Sequence, residues 1–302
     1  MLEVGAVFVT YNPNFEEFKK NLLAASYQVS TIVIVDNGSD FFDEESIDEL
    51  VKGIKVKVII NDGNLGIADA LNIGCKYLKL KGITHSLLLD QDSLITNNLV
   101  ESLINTISCS DNIAVVGPKI VPKIFENNTG EFRSTFITKS SRFTFKRTVI
   151  KNTPLEVIFN ITSGSLIDLH VWEETGEFWA GLFIEGVDNE YGLRMQKFGY
   201  KVVIDNKSIL FQEYGAQIEK KIFGKSFFPT FHSPLRYYYL SRNKVHIFKK
   251  YGFKYLYYFS WDFISSLKLL FLLVFFEDKK FCKFKNICLG IADGIRGKYG
   301  CK

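Results

Sequence analysis

Two aspartates with one residue between them, Asp90 and Asp92 in LLLDQDS, follow an apolar run that reads as a buried strand. Residues i and i+2 of a strand share a face, so the turn after it can bring both carboxylates onto one cation. Hard oxygen donors of this kind suit Mg2+ or Mn2+, ions that commonly complete their shells with phosphate oxygens. An isolated D-x-D is more often a helix cap beside a solvated aspartate; the position after a buried strand shifts the balance toward the cation. A second acidic cluster, EGVDNEYGLR, holds Glu185, Asp188, Glu190 and Arg194. Asp188 can serve as a general base there, with Glu190 and Arg194 completing the site. A Glu–Arg pair four residues apart is also what any exposed helix shows.

Two further turns carry polar groups. In VDNGS, Asp36 follows an apolar run and can accept a hydrogen bond from a nucleotide, although Asp36–Ser39 is equally a good turn sequence. In NLGIADALNIG, Asn64, Gly66 and Asn72 surround a helix start; Gly66 lets backbone approach a ligand, and a helix N-terminus favours phosphate. Neither GxxxxGK[ST] nor G-x-G-x-x-G is present, which argues against a kinase or a dehydrogenase.

The elements that position these groups alternate. Apolar runs at Val4–Thr10, Thr31–Asp36, Lys55–Ile60, His85–Asp90 and Ile113–Pro118 read as strands. Helical periodicity fills the gaps, as at Phe15–Ser26, Ile67–Leu80 and near Asn98–Ile107. The predicted class is therefore α/β, a mostly parallel sheet with helices on both faces, its ligand outside the carboxyl ends of the strands. Residues 125–155 read as an irregular insertion, Ile158–Gly164 as an apolar strand running into SGS, Glu185–Tyr200 as a loop entering a helix, and KVVID as a strand.

Charge is unevenly spread. Arg236–Lys302 contains 14 Lys/Arg and 4 Asp/Glu, while residues 1–235 contain 23 and 29. Fifteen aromatics lie between Tyr237 and Phe276. A basic, aromatic tail on an acidic body predicts an anionic partner, a membrane surface rather than nucleic acid. Tyr255–Phe276 is long enough to span a bilayer. Asp262 and Lys268 within it would each cost about 2.5–3.5 kcal/mol at mid-membrane. An interfacial helix flanked by Lys249, Lys250, Lys254, Lys279, Lys280, Lys283 and Lys285 is therefore favoured over a span, with a buried helix close behind. Five widely spaced cysteines, four scattered histidines and no signal-peptide pattern predict a cytoplasmic protein with reduced thiols and no zinc site.

Taken in order, VTYNP, IVIVDNGS, NLGIADALNIG, LLLDQDS, SGS, FIEGVDNEYGLR and HSPLRYYYLSRN resemble the glycosyltransferase family 2 enzymes, and most nearly their bacterial rhamnosyltransferase-like branch. The resemblance runs from about Val4 to Asn243. It implies a GT-A fold over residues 1–215, followed by a helical, membrane-associating region over 216–302. It implies inverting, metal-dependent transfer of a sugar, with rhamnose from dTDP-rhamnose as first choice, to a glycan or lipid-linked acceptor in surface polysaccharide synthesis. A UDP-hexose or UDP-N-acetylhexosamine donor, or an inactive glycan- or nucleotide-binding subunit, are the alternatives. On this resemblance Thr10, Asn12, Asp36, Asn37, Asn64, Gly66, Asn72 and Asp90 hold the nucleotide sugar. Asp90 and Asp92 hold Mn2+ or Mg2+, with Asp92 as direct ligand. Asp188 is the base, and Ser163, Gly164, Ser165, Glu185, Glu190 and Arg194 lie on the acceptor side or support the site. Expected placement is peripheral, on the inner face of the cell membrane, with a homo-oligomer allowed. One departure stands out: where similar enzymes carry a histidine in a late L-x-H-x-x-G segment, LFQEYG presents Gln212, a poor metal ligand.

Overall fold

The computed structural model describes residues 2–51, 53–123, 134–151, 153–212, 220–222 and 225–302. Strands β1 (Val4–Thr10), β2 (Thr31–Asp36), β3 (Lys55–Ile60) and β4 (His85–Asp90) form at the apolar runs named above. They are separated by α1 (Phe15–Ser26), α2 (Glu44–Leu50) and α3 (Ile67–Leu80). There follow β5 (Leu94–Ile95), α4 (Leu99–Ile107) and β6 (Ile113–Pro122), then β7 (Thr135–Lys139), β8 (Phe145–Val149), β9 (Leu155–Val157) and β10 (Leu166–Asp168). Helices α5 (Leu169–Thr175) and α6 (Val187–Phe198) precede β11 (Lys201–Gln212).

The main sheet has nine strands in the order β3-β2-β1-β4-β10-β6-β11-β5, with β9 also on β11. The six long strands β1, β2, β3, β4, β6 and β11 run one way; short β10 lies antiparallel between β4 and β6. Alternate residues of β1 point to opposite layers. Ala6 and Phe8 join the core under α1, α2 and α4, and Val7 and Val9 join the core under α3, α5 and α6. Both faces are covered, so β1 and β2 are buried at every position, which explains why they read as continuous apolar runs.

Two expectations need correction. Ile158–Gly164 is not a strand: the chain pairs at β9 and β10 on either side of it, and the segment between turns under β4. The part of 125–155 that is described is not wholly irregular, since β7 and β8 pair as a hairpin; residues 124–133 lie outside the described residues.

The C-terminal region contains the β12–β13 hairpin (Lys220–Ile222 and Lys225–Phe227), then α7 (Pro234–Tyr251), α8 (Leu256–Phe276) and α9 (Lys280–Arg296). Ile247 and Tyr251 of α7 and Tyr257 and Tyr258 of α8 enter the same core as α3 and α6. Farther along α8 the apolar side chains turn outward. Phe263, Leu267, Phe271 and Val274 are exposed along one helical stripe, and Phe281 and Phe284 of α9 are exposed beside the α8–α9 turn. The stretch 234–276 is long and apolar enough to cross a membrane, and only 11% of its most apolar window is buried. Asp262 is paired with Lys244 of α7 at 2.6 Å. Of the lysines expected to flank an interfacial helix, three are engaged by other parts of the protein. Lys283 is buried against Glu277, Lys250 pairs with Glu190, and Lys249 donates to the Gly294 and Ile295 carbonyls.

Candidate active site

Asp90 closes β4, in register with Val9 of β1, so the D-x-D turn opens at the carboxyl end of the sheet. The segment 162–165 supports it. Gly164 donates its amide to the Leu88 carbonyl (2.7 Å), and the Asp90 amide donates to Ser163 Oγ (3.2 Å). Ser163 Oγ also pairs with Ser93 Oγ at 2.5 Å. Ser165 is turned into the protein, accepting from Asn160 and donating to the Ile161 carbonyl. SGS is thus the floor beneath the aspartates. From the far side Gln212, at the end of β11, donates through Nε2 to Asp90 Oδ2 (3.2 Å).

Three carboxylates share this end of the sheet. Burial, then the charges of Asp92 and Asp188, push the Asp90 carboxyl up to about 7, with Gln212 and Ser163 working against the rise. Asp188 lies on the first turn of α6, half-buried, with its Oδ1 accepting from the Asn189 amide (2.8 Å). Burial lifts its carboxyl to about 6; the Asn189 amide opposes this, and Glu185 adds to it. Such crowding of like charge fits a divalent cation at Asp90 and Asp92. Among the described residues no three His, Cys, Asp or Glu side chains form a complete metal cage. Two carboxylates with the remaining positions left to phosphate oxygens is the usual arrangement for Mg2+.

The other expected residues divide into two groups. Asp36 is buried and internally satisfied: it accepts from Thr10 Oγ1 (2.8 Å), Ser39 Oγ (2.6 Å) and the Ser39 amide (2.8 Å). Asn12 donates its amide to Ser39 Oγ and accepts from the Asp40 amide, so the β1 and β2 turns are tied together. Asn37 donates to Asn64 Oδ1 and to the Gly66 carbonyl. These residues rim the carboxyl ends of β1 and β2 with a fixed loop framework. Gly66 has φ +87°, and a Cβ there would lie 2.4 Å from the Phe183 carbonyl oxygen. The backbone that approaches Gly66 is therefore the protein's own.

Asn72, Glu190 and Arg194 are engaged elsewhere. The Asn72 amide both donates to the Phe178 carbonyl and accepts from its amide, each at 2.9 Å, which latches α3 to the turn before α6. Glu190 is completely buried, bonded to Arg194 (2.8 Å), Lys250 (2.8 Å) and the Tyr251 hydroxyl (2.6 Å). Arg194 donates to the carbonyls of Gly176 and Glu177. Both therefore brace α6, while Glu185 pairs with Arg236 of α7. Gln91, between the two aspartates, escaped the sequence reading. Its side chain accepts from the Tyr11 amide (2.8 Å) and its carbonyl from Asn21 (2.8 Å), which fixes the turn. A glutamine between two candidate ligands was the available signal.

Residues 6–174 match the family model described as glycosyl transferase family 2. The chain belongs to that family. The transferase is 29% identical over 301 residues to the dTDP-rhamnosyl transferase RfbF of Shigella flexneri, covering 98% of this chain and 97% of that one. Its fold resembles GalNAc-T7, solved with UDP, GalNAc and Mn2+ (TM-score 0.61, 18% identity, 82% of this chain), although it spans only 48% of that chain. It also resembles the mannosyltransferase PcManGT of Pyrobaculum calidifontis, solved with GDP-Man and Mn2+ (TM-score 0.57, 12% identity, 97% of this chain and 75% of that one). The fold is GT-A, as the motif series implied.

Proposed function

We propose that this transferase moves rhamnose from dTDP-rhamnose, with inversion, to a glycan or lipid-linked acceptor in surface polysaccharide synthesis. The observation that carries the reaction type is the D-x-D turn at the carboxyl end of β4, with Asp90 held by Ser163 and Gln212. The end-to-end likeness to RfbF supports the donor.

The chemistry follows from charge. Departure of a nucleoside diphosphate builds negative charge on its leaving oxygen. A divalent cation held by Asp90 and Asp92 would neutralise that charge and orient the diphosphate. Gln212 and Ser163 hold Asp90 in place. An acceptor hydroxyl is a weak nucleophile until its proton is taken, and the ionised Asp188 carboxylate is the group to take it. Attack from the face opposite the leaving group inverts the anomeric centre in one displacement. Glu190 and Arg194 keep the helix that carries Asp188 fixed.

The same reading puts the protein on the cytoplasmic face of a membrane. The outward apolar stripe of α8, continued by Phe281 and Phe284 and bordered by exposed Lys268, Lys279, Lys280 and Lys285, supports peripheral attachment.

The test is release of nucleoside diphosphate from a panel of sugar nucleotides with Mn2+. Fastest release from dTDP-rhamnose is expected. Faster release from a UDP-hexose or UDP-N-acetylhexosamine would replace the donor. No release from any donor, despite tight nucleoside diphosphate binding, would leave a binding subunit.

A further inference from the structure

We infer that Arg242 and Asn243, consecutive residues of α7, are positioning residues that lock the loop 181–186 and thereby set Asp188. The inference rests on the reading of Asp188 as the base. Both side chains are about 1% exposed, and neither lies in the D-x-D turn or on α6. Asn243 Nδ2 faces three acceptors of the loop, the carbonyls of Leu182 (2.8 Å), Ile184 (2.6 Å) and Glu185 (2.8 Å). Arg242 donates to the carbonyls of Gly181 (3.3 Å), Leu182 (3.0 Å) and Gly300 (2.5 Å), and its Nε donates to Asn243 Oδ1 (3.0 Å). Arg242 thus aims the amide that holds the loop.

The loop needs such holding. Phe183 and Glu185 have φ of +64° and +65°, and Gly186 follows at +80°. Non-glycine residues keep that backbone only where their surroundings over-determine it, and such positions gather at functional sites. Two connections lead from the loop into the site. Gly186 is the N-cap of α6, two residues before Asp188. The Phe183 carbonyl accepts the Ile67 amide (2.8 Å) at the start of α3, next to Gly66 and the Asn37–Asn64 framework that rims the carboxyl ends of β1 and β2. The chain's last residues add a strap: the Gly300 amide donates to the Gly181 carbonyl (2.8 Å), and Tyr299 stacks on His246 of α7 at 4.2 Å. The C-terminal region is on this account part of the active-site frame as well as an attachment surface.

The experiment is amide hydrogen exchange on full-length Asn243→Ala and Arg242→Lys, read at Ile67 and Glu190. Those amides bond to the Phe183 and Gly186 carbonyls, respectively. At least tenfold faster exchange at both is expected, with β1, β2 and α9 unchanged and turnover reduced at least tenfold. Asn243→Ser, which keeps one donor, is expected to fall between wild type and Asn243→Ala, and stands in if the alanine variant does not fold. Unchanged exchange at Ile67 and Glu190, or one uniform acceleration across the chain, would overturn the clamp. Exchange needs no donor. A wild type that releases no nucleoside diphosphate would therefore defeat the proposed function while the clamp was still decided.

Discussion

Gln212 donates to Asp90 Oδ2 over 3.2 Å, joining the ends of β11 and β4 across the sheet. A carboxylate oxygen engaged in this way has a fixed direction, and groups that orient metal-binding carboxylates typically contribute 10–100-fold to metal affinity. Gln212→Ala is therefore expected to weaken Mn2+-dependent nucleoside diphosphate binding by roughly tenfold, without loss of fold. Calorimetric titration of the diphosphate in Mn2+ and in chelator checks this. An unchanged affinity would leave Gln212 with no part in orienting Asp90.

Asp188 supplies the pH dependence. Its carboxyl is raised to about 6, mainly by burial. A base acts ionised, so turnover should fall as pH drops through about 6, above the ordinary aspartate range. Asp188→Asn should keep donor affinity and lose at least ~10²-fold in turnover, the lower range for a positioned base. If Asp188 served only to accept the Asn189 amide in the first turn of α6, the side-chain oxygen of asparagine would serve as well and the rate would hardly move. A pH–rate profile of wild type and variant at saturating donor and acceptor distinguishes the two.

The D-x-D aspartates bear on stability as well as binding. Asp90 titrates near 7 in the folded protein, well above an unfolded aspartate. The folded state therefore holds its proton more tightly. The stability this gives is fully present below the unfolded pKa and is lost as pH rises through about 7. Asp90→Asn removes the ionisation and should raise the melting temperature at pH 8 in chelator. Asp92→Asn should weaken Mn2+-dependent diphosphate binding more than Asp90→Asn, because it removes charge from the direct ligand. Thermal melts with and without Mn2+ report both effects; equal melting of wild type in chelator and in Mn2+ plus diphosphate would remove the metal from the site.

Much of this frame was legible in the chain. β1, β2 and β4 are apolar runs closed by polar turns, and burial on both faces leaves no alternation to misread, whereas β3 at the sheet edge alternates lysine with valine before its two isoleucines. Asp90, Asp92 and Asp188 were legible as acidic groups at turn positions, although nearly 100 residues separate the last from the first two. What was hidden is long-range. Asn72 and Phe178, 106 residues apart, exchange two hydrogen bonds that no local pattern reports. β10 is a three-residue antiparallel strand whose pairing comes from the gap between β4 and β6 rather than its own periodicity. Lys283 looked like one more basic residue of the tail because its partner Glu277 sits across the α8–α9 turn.

That partner defines a stability test away from the site. Lys283 Nζ lies 2.9 Å from Glu277 Oε2, which also accepts from the Tyr237 hydroxyl at 2.9 Å, and both charged side chains are at most 2% exposed. Burial acts to raise the Glu277 carboxyl, but hydrogen bonds from Lys283 and Tyr237 outweigh it and hold the group below its ordinary value of 4.5. Its contribution is thus present above that value and is lost as pH falls through the lowered one. Glu277→Ala leaves the buried Lys283 ammonium to the exposed Asp278 and takes an acceptor from Tyr237, Thr230 and Phe231, so it should cost about 3 kcal/mol, the low end for a broken buried pair, whereas replacing both Glu277 and Lys283 by Leu and Met should cost less. Denaturant unfolding at pH 7 and pH 4 measures this. Equal losses for the single and double variants would mean the pair is not buried as described.

The last prediction concerns membrane attachment. The exposed stripe of α8 and the exposed Phe281 and Phe284 offer apolar insertion, while Lys268, Lys279, Lys280 and Lys285 offer electrostatic attraction. These two contributions respond differently to salt. Each basic residue near an anionic surface is worth about 1 kcal/mol, and screening shortens that attraction to about 3 Å at 1 M salt. Apolar insertion is not screened. Full-length protein should therefore float with anionic vesicles at low salt, and high salt should release only part of it. Charge reversal of the four lysines to glutamate should abolish binding at low salt. Phe263→Glu with Leu267→Glu and Val274→Glu should leave only a salt-sensitive fraction. All three side chains are exposed, so these changes should leave diphosphate binding and the melting temperature unchanged. Complete solubility of the wild type beside anionic vesicles at low salt would refute attachment. Equal binding to neutral vesicles would assign it to the aromatic stripe alone.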